Sequence, residues 1–175
     1  MKKPTLAVAL LSLFMTALPA GAEDRLEQCS EVELKVMGLF SVGTASLHLA
    51  ECNDAGRVLE RVPKMFSLEL ARDIAGQDLI DSANDLLMDN LGLESREALP
   101  EELACLADAY VDAEEGERFD VVYRPDEKLA LYRNDQLLAE CPDRGHGHQY
   151  FKIWFGEAPF NDRMKEALLK RAARS

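Results

Sequence analysis

The stretch GERFDVVYRPDEKLALYRNDQLLAE, residues 116–140, constrains the fold more than any other part of the chain. It holds three short runs, Arg118–Tyr123, Lys128–Tyr132 and Gln136–Glu140, separated only by the RPDE and RND breaks. Both breaks carry Pro, Asp or Asn, residues that favour tight reversals, so the runs read as consecutive strands of a meander. A chain with this unit builds around an antiparallel sheet.

The flanking segments extend that sheet and add helices. VELKVMGLFSVGTASLHLAEC reads as two strands joined at Gly38, with a turn near Met37 to Leu39 and the period-2 pattern of a half-buried pair. PKMFSLELARDI opens with Pro63 and gives a third strand, Met65–Leu70. In AGQDLIDSANDLLMDNLGL, Leu79, Ile80, Ala83, Leu86, Leu87 and Leu91 recur at helical spacing and predict an amphipathic helix ended near Gly92. LPEELACLADAY predicts a second helix with Pro100 in its first turn and Leu103, Leu106 and Ala107 as its stripe. NDRMKEALLKRAARS predicts a last helix with Asn161 as N-cap, Asp162 in the first turn and a basic end. The class is α+β. No repeat, linker or low-complexity tract interrupts residues 23–175, which read as one domain.

The first 22 residues read differently. MKKPTLAVALLSLFMTALPAGA has two lysines, an apolar run from Leu6 to Leu18, and small residues at Ala20 and Ala22 with the spacing signal peptidase requires. Residues 1–22 are therefore expected to be a secretory signal peptide, its run too short for a stable transmembrane span. The mature chain is expected to start near Glu23, in the periplasm. Loss of Lys2 and Lys3 with no acid takes the formal charge from −12 to −14. Such a surface repels phosphate backbones and anionic lipid, which argues against a nucleic-acid partner. Solubility is the simplest role for the charge; attraction of cations or a basic partner is the alternative.

Four cysteines, Cys29, Cys52, Cys105 and Cys141, are widely spaced, with no CxxC. An even count in an exported chain favours disulfides, and the sequence alone allows three pairings. Cys29 and Cys52 flank the first hairpin, whose closure brings its outer ends together, so the expected pairs are Cys29–Cys52 and Cys105–Cys141. Free buried thiols are the other reading.

DRGHGHQYFKIWFGEAPF places His146 and His148 one residue apart, beside the chain's single tryptophan. Tyr150, Ile153 and Trp154, with Phe151 and Phe155, follow helical spacing, and Gly156 with Pro159 ends the pattern. On a helix the two imidazoles lie about 200° apart and cannot chelate one ion. On a strand they would share a face and, with His48, could make a three-nitrogen site. Glycines on both sides of His146 favour a loop running into a helix, so no metal site and no cofactor are expected. Trp154 reads as core.

Taken in order, LFSVGTASLHL, LELARDIAGQDLIDSANDLL, the 116–140 meander and YFKIWFGEAPFNDRMKEALL resemble the bacterial chalcone isomerase-like proteins across nearly the whole mature chain. The resemblance implies an open-faced β-sandwich, a curved antiparallel sheet covered on one side by helices. It covers plant enzymes that cyclise chalcones to flavanones, relatives that bind fatty acids, and members without a known reaction. The enzymes use an arginine and a threonine on the first hairpin, a tyrosine and an asparagine on the first long helix, and a threonine or serine on the aromatic helix, as donors to a phenolate and an enolate.

Placed through SLHL, ARDIAG and WFG, those positions fall on Lys35, Gly43, Leu79, Leu86 and Ile153, with Thr44 next to Gly43 but on the opposite face of a regular strand. The resemblance thus implies an apolar lining in place of the catalytic set, and catalytic residues are assigned to none of these positions. The expected ligand-binding residues are Lys35, Thr44, Leu79, Ala83, Leu86 and Trp154, with Lys35 anchoring a small apolar carboxylate such as a fatty acid. Ordinary core packing with Lys35 in solvent is the competing reading. The expected function is ligand binding or a structural role with an unnamed protein partner. An isomerase or lyase using Lys35 with Thr44 or Tyr123 is the alternative.

Overall fold

The computed structural model describes residues 25–36 and 40–174. Six strands, β1 (Glu27–Val36), β2 (Phe40–Leu49), β3 (Lys64–Leu70), β4 (Arg118–Arg124), β5 (Lys128–Arg133) and β6 (Gln136–Pro142), form one sheet in sequence order. Each strand runs antiparallel to the next. Helices α1 (Gly76–Leu91) and α2 (Glu101–Ala107) lie between β3 and β4, and α3 (Lys152–Phe155) and α4 (Asp162–Ala172) follow β6. The architecture is an open antiparallel sheet with helices. The turn expected at residues 37–39 and the leader at residues 1–22 lie outside the described residues.

The meander forms because its breaks suit the geometry of tight hairpins. Asn134 and Asp135, the two residues between β5 and β6, have φ of 48° and 68°. Two consecutive positive φ values make a type I′ turn, whose twist matches that of the flanking strands, and Asn and Asp tolerate that conformation better than most side chains. The first strands pair through Val32↔Ala45 and Ala45↔Leu68, and β3 joins the meander through Phe66↔Val121.

Strand alternation divides the sheet into two unlike faces. Ala45, Leu47 and Leu49 on β2, Phe66 and Leu70 on β3, Phe119, Val121 and Tyr123 on β4, and Leu129 and Leu131 on β5 are buried in the core. Residues of opposite parity, among them Thr44, Ser46, His48, Ser67, Glu69, Arg118 and Asp120, line a polar groove on the other side. Burying a side chain of the Leu or Phe class is worth roughly 1.5 to 3 kcal/mol, so this alternation fixes the register as well as the fold.

Helix ends follow the sequence signals, with two differences. The Asn161 side chain accepts the Met164 N–H at 2.9 Å, and Lys170 and Arg171 occupy the last turn of α4. Pro100 stands one residue before α2 as its N-cap rather than inside the first turn. The aromatic segment, expected as one helix, divides into a 3-10 turn at Gly147–Phe151 and the single α turn of α3. Disulfides join Cys29 to Cys52 and Cys105 to Cys141, the second tying α2 to β6. Loops of these lengths contribute about 3 to 4 kcal/mol each in the chain-entropy model.

Candidate functional site

A narrow cleft of about 70 Å³ lies between α1 and the sheet. The i, i+3, i+4, i+7 spacing of α1 brings Leu79, Ser82, Ala83 and Leu86 to one side of it. Alternate residues Phe66 and Leu68 of β3, and Phe119 and Val121 of β4, form the other side. Ile153, Trp154, Tyr110 and Phe160 complete the lining. The Trp154 ring stacks on Phe66 at 4.0 Å, and Phe155 meets Phe66 edge-on at 6.1 Å. Such aromatic contacts hold the cleft's wall beyond what area burial supplies.

None of the described residues lining the cleft is charged. Its hydroxyls belong to Ser82 and Tyr110. The Tyr150 hydroxyl donates to the Tyr110 oxygen at 3.4 Å. Burial pushes the Tyr110 phenol up to about 12 against the opposing hydrogen bond from Tyr150, and burial also raises Tyr150. Both rings are neutral phenols at ordinary pH.

Of the residues expected to bind ligand, Leu79, Ala83, Leu86 and Trp154 share this cleft, and Lys35 and Thr44 lie elsewhere. A register shift falls between Leu34 and Lys35, which pair with Gly43 and Ser41. Leu34 takes the buried position, and Lys35 projects outward to an exposed ion pair with Glu33 at 2.9 Å. It borders a separate hollow with Asn161, Arg163 and Met164. Thr44 lies on the polar side of the sheet with Ser46 and His48. A Cβ at Gly43 would come within 2.1 Å of the Glu69 carbonyl oxygen, so no side-chain hydroxyl fits there unless β3 moves. Of the alternative catalytic grouping, Tyr123 is fully buried against Gly147, and Lys35 and Thr44 line different hollows.

Sequence reasoning missed more than half of the lining, Ser82 included. Phe66, Leu68, Phe119 and Val121 carried a usable signal, because period-2 parity puts them on one side of adjacent strands. Tyr110 continues the spacing of Leu103, Leu106 and Ala107 and so also carried a signal, whereas Phe160 lies outside any periodic run.

The His146-Gly147-His148 segment belongs to a second, polar arrangement around Tyr123. The Asp143 side chain is fully buried and accepts the Tyr123 hydroxyl at 2.9 Å and the backbone N–H groups of Asp126, Gly145 and Gly147 at 2.9 to 3.0 Å. Burial raises its pKa, but these donors outweigh that and hold it at about 2. Buried Glu102 accepts the Arg144 and His146 N–H groups. A Cβ at Gly147 would sit 2.8 Å from the Tyr123 ring, so glycine there permits the close approach.

The three imidazoles occupy three surroundings. His146 is half exposed with Nδ1 3.3 Å from Glu102, and the His148 Nδ1 is buried without a partner among the described residues. His48, on the polar side of the sheet, pairs with Ser46 Oγ at 3.0 Å. Among the described residues the cluster that could hold an ion is Glu27, Cys29 and Cys52, whose two sulfurs are joined in the disulfide.

Lys64 is the unforeseen member of the polar arrangement. It is fully buried, donates to the Glu60 carbonyl, and holds its Nζ 5.0 Å from the centres of the Tyr123 and Phe151 rings. Burial lowers its pKa to about 7, partly offset by Glu60. Burial, followed by the Lys64 charge, also lowers His148.

A family model described as chalcone isomerase-like matches residues 35–170. No curated protein matches the sequence. Among solved structures, the crystal structure of a fatty-acid binding protein from Arabidopsis thaliana aligns with a TM-score of 0.61 at 14% identity, over 89% of this chain and 92% of that one. At that identity the likeness shows the fold. No described helix is long and apolar enough to cross a membrane.

Proposed function

Because the chain belongs to the chalcone isomerase-like family, we propose that it binds a small apolar ligand between α1 and the sheet and does not catalyse cyclisation. One observation carries this reading: Leu79, Leu86 and Ile153, which the resemblance sets at the donor positions of the family's enzymes, all line a cleft with no charged residue among those described. Cyclisation needs donors fixed within hydrogen-bond reach of the developing enolate, and each one lost costs a factor of about 10² to 10³ in rate. The apolar class is supported by the Arabidopsis neighbour, which is a fatty-acid binding protein. The cleft is smaller than the roughly 300 to 1,000 Å³ of sites that enclose a drug-sized molecule. A ligand of that size widens it on binding.

Residues 1–22 act in this proposal as an export signal, which two disulfides support because such bonds persist in oxidising compartments. The intact mass of protein recovered from the periplasm should correspond to a chain starting near Glu23. A full-length chain held in the cytoplasm overturns the export reading.

Native mass spectrometry of that same protein tests the function. A retained apolar molecule, lost when the cleft is filled, is the expected result. A ligand-free spectrum together with no binding of a neutral apolar dye such as Nile red overturns it, and a stereoselective flavanone product formed above the buffer rate overturns the non-catalytic part.

A further inference from the structure

A hydrogen bond between two hydroxyls uses one proton and leaves the other to be accounted for. In the tyrosine pair, Tyr150 is the donor and Tyr110 the acceptor. Tyr110 has its own O–H, 9% of the residue is exposed, and no acceptor for that proton occurs among the described residues. Buried polar groups in native proteins nearly always find a partner, so a donor left over in a cleft wall marks where a bound molecule would place an acceptor. Tyr110 is in that wall.

The same wall restricts the charge of what enters. A carboxylate there would be buried without a cation, since the described lining residues are uncharged and Lys35 borders a different hollow. Desolvating an unpaired ion costs far more than one phenolic hydrogen bond returns. A chain with a formal charge of −12 also repels anions at a distance.

We infer that the cleft selects an uncharged apolar molecule bearing one hydrogen-bond acceptor, such as a ketone or ester, and that Tyr110 donates to that acceptor. The inference rests on the cleft being the ligand site. It also separates this protein from a carboxylate carrier.

Three probes of similar length test it by displacement of Nile red from the full purified chain near neutral pH: undecane, 2-undecanone and decanoate. The ketone should bind about five- to tenfold more tightly than undecane, the range expected for one net hydrogen bond, and more tightly than decanoate. Tyr110→Phe should bring the ketone's affinity down to that of undecane for the same variant, while Tyr150→Phe should retain the ketone's advantage. The carbonyl stretch of bound 2-undecanone gives a readout independent of any variant's folding, and it should move to lower wavenumber than in hexane. An unshifted stretch, an advantage that survives in Tyr110→Phe, or decanoate binding as tightly as the ketone overturns the inference. Equal binding of undecane and ketone to the unaltered chain also overturns it while leaving the apolar site standing. If none of the three displaces the dye, the site itself fails.

Discussion

The cleft and the Asp143 arrangement are both built against β4, and the chain from Asp143 to Phe155 contributes to both, yet they treat polar groups in opposite ways. Around Asp143 every carboxylate lone pair has work: four donors converge on one buried side chain, and Glu102 secures the next turn of the loop. In the cleft, the Tyr110 proton has no acceptor among the described residues and some volume is left unfilled. The contrast assigns roles along one short segment. Its first half is pinned by hydrogen bonds and its second half presents Ile153 and Trp154 to open space.

The harshest way to break that contrast is to remove the acceptor that pins the loop. Asp143→Ala leaves three backbone N–H groups and the Tyr123 hydroxyl without their buried partner, and should lower the unfolding free energy by about 3 to 5 kcal/mol in a urea titration. A loss below about 1 kcal/mol would mean that Glu102 and the Cys105–Cys141 bridge hold the loop without it.

Lys64 sharpens the comparison through pH. Its folded pKa of about 7 lies below the ordinary lysine value near 10.4, so between those limits the unfolded chain binds the extra proton. Stability should therefore rise with pH across that window, by on the order of 4 to 5 kcal/mol relative to Lys64→Met, with the full penalty present below pH 7. Parallel pH curves for the two proteins would remove the amine from the energetics of this region.

Filling the cleft should do the reverse of cutting the loop. Ala83→Phe is expected to change stability by only about 1 kcal/mol, because the added ring enters existing space, while abolishing Nile red binding. Retained dye binding would place the ligand elsewhere. Lys35→Met should have the smallest effect, within about 0.5 kcal/mol in stability and none on ligand affinity, as expected for half of an exposed ion pair. A tenfold fall in affinity would restore Lys35 as an anchor.

These four positions also mark what the sequence made legible. The meander could be read because its runs are short and its breaks carry turn formers, and the α1 stripe delivered Leu79, Ala83 and Leu86 together through helical spacing. Lys35 was misplaced because the resemblance, not strand alternation, put it in the cleft: it follows buried Leu34 and so faces the other way, while the irregularity beside it adds its extra residue, Val42, to β2. Lys64 precedes the strand MFSLEL and reads as a solvated start, although its parity with Phe66 directs it inward. Tyr110 continues the spacing of the α2 stripe, but its partner is 40 residues away, a separation that only the folded chain closes. Local pattern carried the elements; long-range pairing decided the site.

The small volume between α1 and the sheet has a consequence for timing. The cleft is narrow and partly open to solvent, so a drug-sized molecule that seats fully between α1 and the sheet needs α1 or Phe160 to yield. Uptake is then limited by how often that opening occurs, and the observed rate should level off as ligand concentration rises instead of climbing in proportion. The fraction of molecules already open scales the apparent affinity directly. The same movement slows escape, so a captured ligand is expected to outlast purification.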